Sequence, residues 1–317
     1  MATAFGALGC AGKWRGGARC VERWCAPRRA VFAGRLRSVR RVRHHGADAA
    51  AASSKSRLLC STSDASGSVG AEVSSEQRRA VLMGLQSVLQ RMENAARESS
   101  RASLPRLVAV SKTKSAELVR VAYGAGQRFF GENYVVELVN KAEELHKDLP
   151  DIRWHFIGPI QSNKIRKIVG VPGLACVESI DRAKIATGLE RVCAEEGRSE
   201  PLAVMVQVNV SGEESKSGCA PEEAPELAHH IAQSCPNLKL LGLMTIGAPD
   251  PSREPVAFSR LLECRAAVSQ RLGVAPASLE LSMGMSADFE AATRMGSTSV
   301  RVGSTIFGER FYPPQRA

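Results

Sequence analysis

The run Leu107-Val108-Ala109-Val110-Ser111-Lys112 is short, nearly all apolar and closed by a lysine; a second run, Ser299-Val300-Arg301-Val302-Gly303-Ser304, begins nearly two hundred residues later. Continuous apolar segments of this length read as parallel strands covered on both faces. Six comparable runs lie between them, at 128–132, 153–158, 174–178, 202–209, 238–245 and 278–283. Helical patterning fills the gaps, for example from Ser115 to Ala125, Tyr134 to Leu145, Asp181 to Glu196, Pro221 to Ser234 and Pro255 to Leu272. Eight strand–helix units in roughly 240 residues is the count and size of a single (β/α)8 TIM barrel.

A doubly wound open sheet is the runner-up. Closure is favoured because no Gly-x-Gly-x-x-Gly turn follows the first run. Chemistry-bearing residues also recur at the C-terminal ends of the runs: Lys112, Glu132 and Asn133, His155 with Gly158, Glu178, Asn209, Met244 and Thr245, Ser282, and Arg301 with Gly303 and Ser304. In a barrel these ring one mouth, and closure sets the first and last strands side by side. Upstream, Ser74 with Gln77 forms a capping-box signal, and Val81, Leu82, Leu85, Val88, Leu89 and Met92 repeat at helical spacing. An extra helix therefore precedes a barrel domain spanning 76–317.

Charge separates the rest of the chain. Residues 1–60 hold thirteen Lys or Arg against Glu22 and Asp48, which is the entire formal excess of +11, so residues 61–317 sum to zero. The basic pI thus gives no reason to expect nucleic acid binding by the folded part. The leader is Arg- and Ala-rich, acid-poor and without an apolar run long enough for a secretory core or a membrane span. It reads as a transit peptide for a mitochondrion or plastid; a basic tail on a cytoplasmic protein is the alternative. The Ala- and Ser-rich stretch 61–75 reads as disordered linker. Nine cysteines include no Cys-x-x-Cys pair, so neither a zinc site nor a disulfide framework is expected.

Strand alternation puts Lys112 on the face of Val108 and Val110, which makes it a better inward amine than Lys114. An amine in an apolar mouth near other cations has its pKa lowered, and the neutral form condenses with aldehydes. The loops after strands seven and eight are this fold's usual phosphate site. Here they read Ser282-Met283-Gly284-Met285-Ser286-Ala287-Asp288 and Gly303-Ser304-Thr305-Ile306-Phe307-Gly308. Glycine permits close backbone approach and helix N-termini aim N–H groups at an anion, although Ser286 also reads as a simple N-cap. A lysine plus a phosphate cup fits pyridoxal phosphate or a sugar-phosphate aldehyde. Arg301 favours the former: a guanidinium at the pyridine nitrogen cannot give up its proton and leaves the ring a weak electron sink. His155, between Trp154 and Phe156, reads as a satisfied structural residue rather than an acid–base group.

The runs 107–114 (LVAVSKTK), 130–134 (FGENY), 154–164 (WHFIGPIQSNK), 207–216 (QVNVSGEESK), 242–247 (GLMTIG), 281–290 (LSMGMSADFE) and 296–309 resemble the pyridoxal phosphate homeostasis protein family, in order and at family spacing. The resemblance implies a fold type III barrel like the N-terminal domain of alanine racemase, with Lys112 as the internal aldimine lysine. It also implies phosphate contacts from Ser282, Gly303 and Ser304, with Met283 beside them, Arg301 at the pyridine nitrogen, and Asn133 and Met244 lining the ring. Val210 and Val302 replace residues usual in the family, and neither is expected to disturb the cofactor. Racemases of this fold bring a second acid–base group from a separate β-domain and a partner subunit. Only nine residues follow Gly308, so no such domain is expected. The favoured reading is a monomeric, non-enzymatic protein that holds pyridoxal phosphate and supplies it to apo-enzymes, without nucleic acid or membrane partners. A weak amino-acid racemase using Tyr134, His155 or another chain's residue as second base is the alternative.

Overall fold

The computed structural model describes residues 73–213, 217–247 and 254–309. The leader at 1–60, the linker up to residue 72 and the 214–216 part of the Gly212–Lys216 loop lie outside the described residues. The first element among the described residues is helix α1 (Ser75–Glu98). Then come β1 (Arg106–Val110), α2 (Ala116–Gly124), β2 (Phe129–Glu132), α3 (Val135–Leu145), β3 (Arg153–Phe156), α4 (Ile165–Val169), β4 (Leu174–Ile180) and α5 (Ala183–Glu195). The second half holds β5 (Leu202–Gln207), α6 (Ala224–Ser234), β6 (Leu238–Met244), α7 (Glu254–Leu272), β7 (Glu280–Ser282), α8 (Phe289–Arg294), β8 (Ser299–Val302) and α9 (Ser304–Phe307). The eight strands close in sequence order into one parallel barrel, with Val108 opposite Arg301 where β1 meets β8.

The eight expected strands are all present, with shifted ends. The β1 strand stops at Val110, before Lys112, because Thr113 adopts φ +62°, a left-handed conformation that no strand continues through. The expected strand at 278–283 narrows to Glu280–Ser282, since Pro276–Ser278 forms a 3-10 turn. Short α4, α8 and α9 were not read from the sequence; each is a turn or two long and too brief to show periodicity.

Two cores result. Outward residues of the strands pack under the helices, and a smaller cluster of Cys176, Met205 and Met244 fills the barrel axis. Above and around that cluster the interior is polar: Glu178 on β4 bonds Ser282 on β7, strands that are not neighbours, so their side chains meet across the inside.

The expected capping box starts α1, with the Gln77 amide N–H donating to the Ser74 hydroxyl and the Ser74 N–H donating to the Gln77 side chain. Val81, Leu85, Val88 and Met92 are buried as the periodicity requires, whereas Leu82 and Leu89 lie at the exposed edge of the stripe. Gly84 is where α1 touches α9: a Cβ there would overlap the Thr305 carbonyl oxygen and sit 3.0 Å from the Ile306 Cα. Seven residues on, Arg91 makes a bidentate bond to Glu290 of α8 (3.2 and 2.7 Å) and lies over the Phe289 ring at 4.6 Å. The extra helix thus braces α8 and α9, the helices that adjoin the ends of β7 and β8 at the mouth. Among the described residues no helix is long and apolar enough to cross a membrane.

Candidate cofactor site at the barrel mouth

A cavity of about 570 Å³ opens at the C-terminal ends of the strands, within the roughly 300–1,000 Å³ usual for small-ligand sites. Lys112, Asn133, Met244, Arg301, Gly303 and Ser304, all expected from the sequence, line it together. Val110, Ile157 and Ile246 give it apolar walls, and Met285, Ser286 and Ala287 close the side under β7. A larger hollow of about 820 Å³ lies between the β5–α6 connection and α7, but among the described residues no lysine lines it and its Arg260 is tied to the Val210 carbonyl at 2.9 Å.

Arg301 is fixed from below. Its Nη1 donates to the Ser282 hydroxyl at 2.6 Å and its Nη2 to the Thr245 carbonyl at 2.6 Å. Ser282 in turn donates to Glu178 Oε2 at 2.5 Å, and His155 Nδ1–H donates to Glu178 Oε1 at 2.5 Å. Burial acts to raise the Glu178 pKa, but the His155 ring, the Arg301 guanidinium 3.9 Å away and the Ser282 hydroxyl outweigh it and hold the carboxyl at about 2. Glu178 is therefore ionised and balances Arg301. Burial pulls the guanidinium down from its ordinary value, which still leaves it protonated. His155 is buried, lies edge-on to Phe129 and is not among the residues that line the cavity.

Two expected residues do not line the cavity. Ser282 is wholly buried, with its hydroxyl hydrogen-bonded to Glu178 and Arg301. Met283 is likewise buried and packs into the core under the helices. Among the described residues, the hydroxyls that reach the cavity are those of Ser286 and Ser304. Ser286 accepts from the Gly303 N–H at 3.1 Å and is not the N-cap of α8; that position is held by Asp288.

Lys112 and Lys114 both face the cavity. Lys114 donates to the Glu309 carbonyl at 2.6 Å, and burial lowers its pKa. Lys112 lies between two anchored neighbours. The Ser111 hydroxyl donates to Glu132 Oε1 at 2.7 Å, and the Ser111 carbonyl accepts from Lys141 Nζ at 2.7 Å. The Thr113 N–H donates to Glu137 Oε2 at 2.7 Å. Sequence reading missed Lys141, whose one signal is a lysine within the apolar stripe Leu138, Ala142, Leu145. The five described cysteines are buried and free, and burial raises each thiol pKa, to about 12 for Cys219.

The residues present fit pyridoxal phosphate. Asn133 Oδ1 is buried without a hydrogen-bond partner in a residue that lines the cavity, a polar atom that a ligand hydroxyl would satisfy. Gly158 lets Asn133 sit there, since a Cβ would overlap the Asn133 carbonyl. Lys112 and Lys114 line the cavity with Arg301, which Glu178 balances from below, against one lining carboxylate among the described residues, Glu309, an arrangement that suits an anionic ligand.

The profile described as "Alanine racemase, N-terminal domain" matches residues 87–311. The mouse pyridoxal phosphate homeostasis protein is 50% identical over 218 residues, 67% of this chain and 80% of that protein. The PipY structure from Synechococcus elongatus, with PLP bound, superposes with a TM-score of 0.59 at 31% identity, covering 72% of this chain and all of that one. Alanine racemase from Corynebacterium glutamicum shares the fold alone, at 17% identity and a TM-score of 0.52 over 75% of this chain and 63% of that one. The match across the barrel, in family profile and in identity to curated relatives, places this chain in the pyridoxal phosphate homeostasis protein family.

Proposed function

We propose that this chain binds pyridoxal 5′-phosphate through Lys112 and serves intracellular vitamin B6 homeostasis, holding the cofactor and supplying it to apo-enzymes. The observation that carries this reading is the convergence of Lys112, Arg301, Gly303 and Ser304 on one cavity. When bound, the cofactor supplies an aldehyde: a neutral amine forms a C=N bond to its carbon, and the aldehyde oxygen leaves as water with both amine hydrogens. Lys112 provides the amine, Gly303 and Ser304 the phosphate seat, and Arg301 a fixed donor for the ring nitrogen. Asn133 and Met244 border the ring.

A holding role, as a monomer and without turnover, suits this mouth better than racemisation. Of the two in-chain groups offered as a second base, Tyr134 is 50% exposed and His155 is sealed against Glu178; neither lines the cavity. The relatives are named for homeostasis and not for a reaction.

The test is an absorption spectrum of the full chain with pyridoxal phosphate, before and after borohydride, with peptide mapping, for wild type and Lys112→Ala. A visible band that borohydride fixes on Lys112 and that the variant lacks is the expected result. Labelling at Lys114 alone, or none, would overturn the assignment.

A further inference from the structure

We infer that Glu137 and Lys141 of α3, with Glu132, are positioning residues for Lys112: they form a bracket that clamps the residue on each side of it and sets its amine for bond formation. This rests on Lys112 being the cofactor lysine.

The bracket is built from one ammonium and two carboxylates. Lys141 Nζ spends its three donors on the Ser111 carbonyl (2.7 Å), Glu132 Oε1 (2.6 Å) and Glu137 Oε2 (3.1 Å). Lys141 is 7% exposed and Glu132 fully buried; burial raises the Glu132 pKa, and the adjoining Lys141 and the Ser111 hydroxyl act against that rise. Glu137 Oε2 also accepts the Thr113 N–H. Thr113 holds φ +62°, which is unfavourable for a β-branched residue and persists only where the surroundings enforce it. A charge-assisted bond to its amide is such an enforcement. Clamps therefore fall on both sides of Lys112 and backbone strain on its Thr113 side, just past the end of β1 at Val110. Asn133, in the cavity wall, directly follows Glu132 at the end of β2, so the lysine loop and one side of the cavity share an anchor.

The experiment compares full-length wild type, Glu137→Ala, Lys141→Met and Lys141→Arg. Three readouts separate positioning from simple structural support: amide hydrogen exchange of residues 111–114 in the cofactor-free protein, the fraction of pyridoxal phosphate that borohydride traps on Lys112, and affinity for pyridoxine 5′-phosphate, which lacks the aldehyde. Glu137→Ala is expected to speed Thr113 exchange about tenfold, the scale of one lost charge-assisted hydrogen bond. Trapping should fall several-fold while pyridoxine phosphate affinity holds within about twofold, because the phosphate seat lies on other strands. Lys141→Arg should recover most of the trapping that Lys141→Met loses. Should Lys141→Met fail to fold, Glu137→Ala decides alone, its side chain being 30% exposed. Wild-type trapping and exchange in Glu137→Ala overturn the bracket, as does a parallel loss of trapping and pyridoxine phosphate affinity. Absence of a Lys112 adduct in wild type instead overturns the cofactor assignment itself.

Discussion

The Ser282 hydroxyl, on β7, donates a 2.5 Å hydrogen bond to the Glu178 carboxylate, on β4, across the inside of the barrel. Two strands separate them around the wall, so this bond and the Arg301 contact to the same hydroxyl tie opposite sides of the interior together beneath the cavity. A buried carboxylate held this way links stability to pH. The Glu178 pKa falls from an ordinary 4.5 to about 2, so its contribution is complete above about 4.5 and is lost as pH falls through about 2. The full shift corresponds to on the order of 3 kcal/mol. Glu178→Gln should be less stable than wild type at neutral pH, and its urea-unfolding free energy should fall less steeply between those two pH values. Equal slopes for the two proteins would contradict the assignment.

Ser282→Ala distinguishes a support from a phosphate ligand. Removing the hydroxyl leaves Glu178 Oε2 and Arg301 Nη1 each short of a buried partner, a loss of about 1–3 kcal/mol in unfolding free energy. Inorganic phosphate should compete with pyridoxal phosphate equally well on the variant and on wild type. A selective loss of phosphate competition with stability intact would restore Ser282 to the cup.

Localisation is tested outside the barrel. Residues 1–75 fused to a fluorescent protein should direct it to an organelle, and replacing the arginines at 35, 37, 40, 41 and 43 with glutamine should return it to the cytosol, because such leaders act through basic, acid-poor composition. A cytosolic wild-type fusion would favour the basic-tail reading.

The barrel was legible because buried parallel strands leave continuous apolar runs and a closed sheet makes the first and last of them neighbours, as Val108 and Arg301 are. Lys112 and Gly303 were legible for the same reason: strand ends in this fold share a mouth. The position of Ser282 at a strand end is visible in the sequence, but the hydrogen bond of its hydroxyl to Glu178 depends on a contact between non-adjacent strands. The turn at Thr113 was invisible because threonine gives no sign of a left-handed backbone. Lys141 gives little sign in the sequence, since only burial reveals that it holds the Ser111 carbonyl.

The contact between α1 and α9 yields the last prediction. Gly84 lies against the Thr305 carbonyl and the Ile306 backbone, just beyond Gly303 and Ser304 in the cavity wall. A side chain at this position must move α9, because backbone atoms cannot swing aside as a flexible side chain does. Gly84→Val should therefore lower the melting temperature and weaken pyridoxine 5′-phosphate binding, with the cost of overpacking on the order of 1–3 kcal/mol. Gly124→Ala is the control: it ends α2, a Cβ there meets nothing within 4 Å, and its stability should change by less than about 1 kcal/mol. A Gly84→Val protein that loses stability but keeps wild-type affinity would show that α1 supports the fold without bracing the phosphate seat. Lost affinity, with the control unchanged, would make the extra helix part of how the barrel holds its anion.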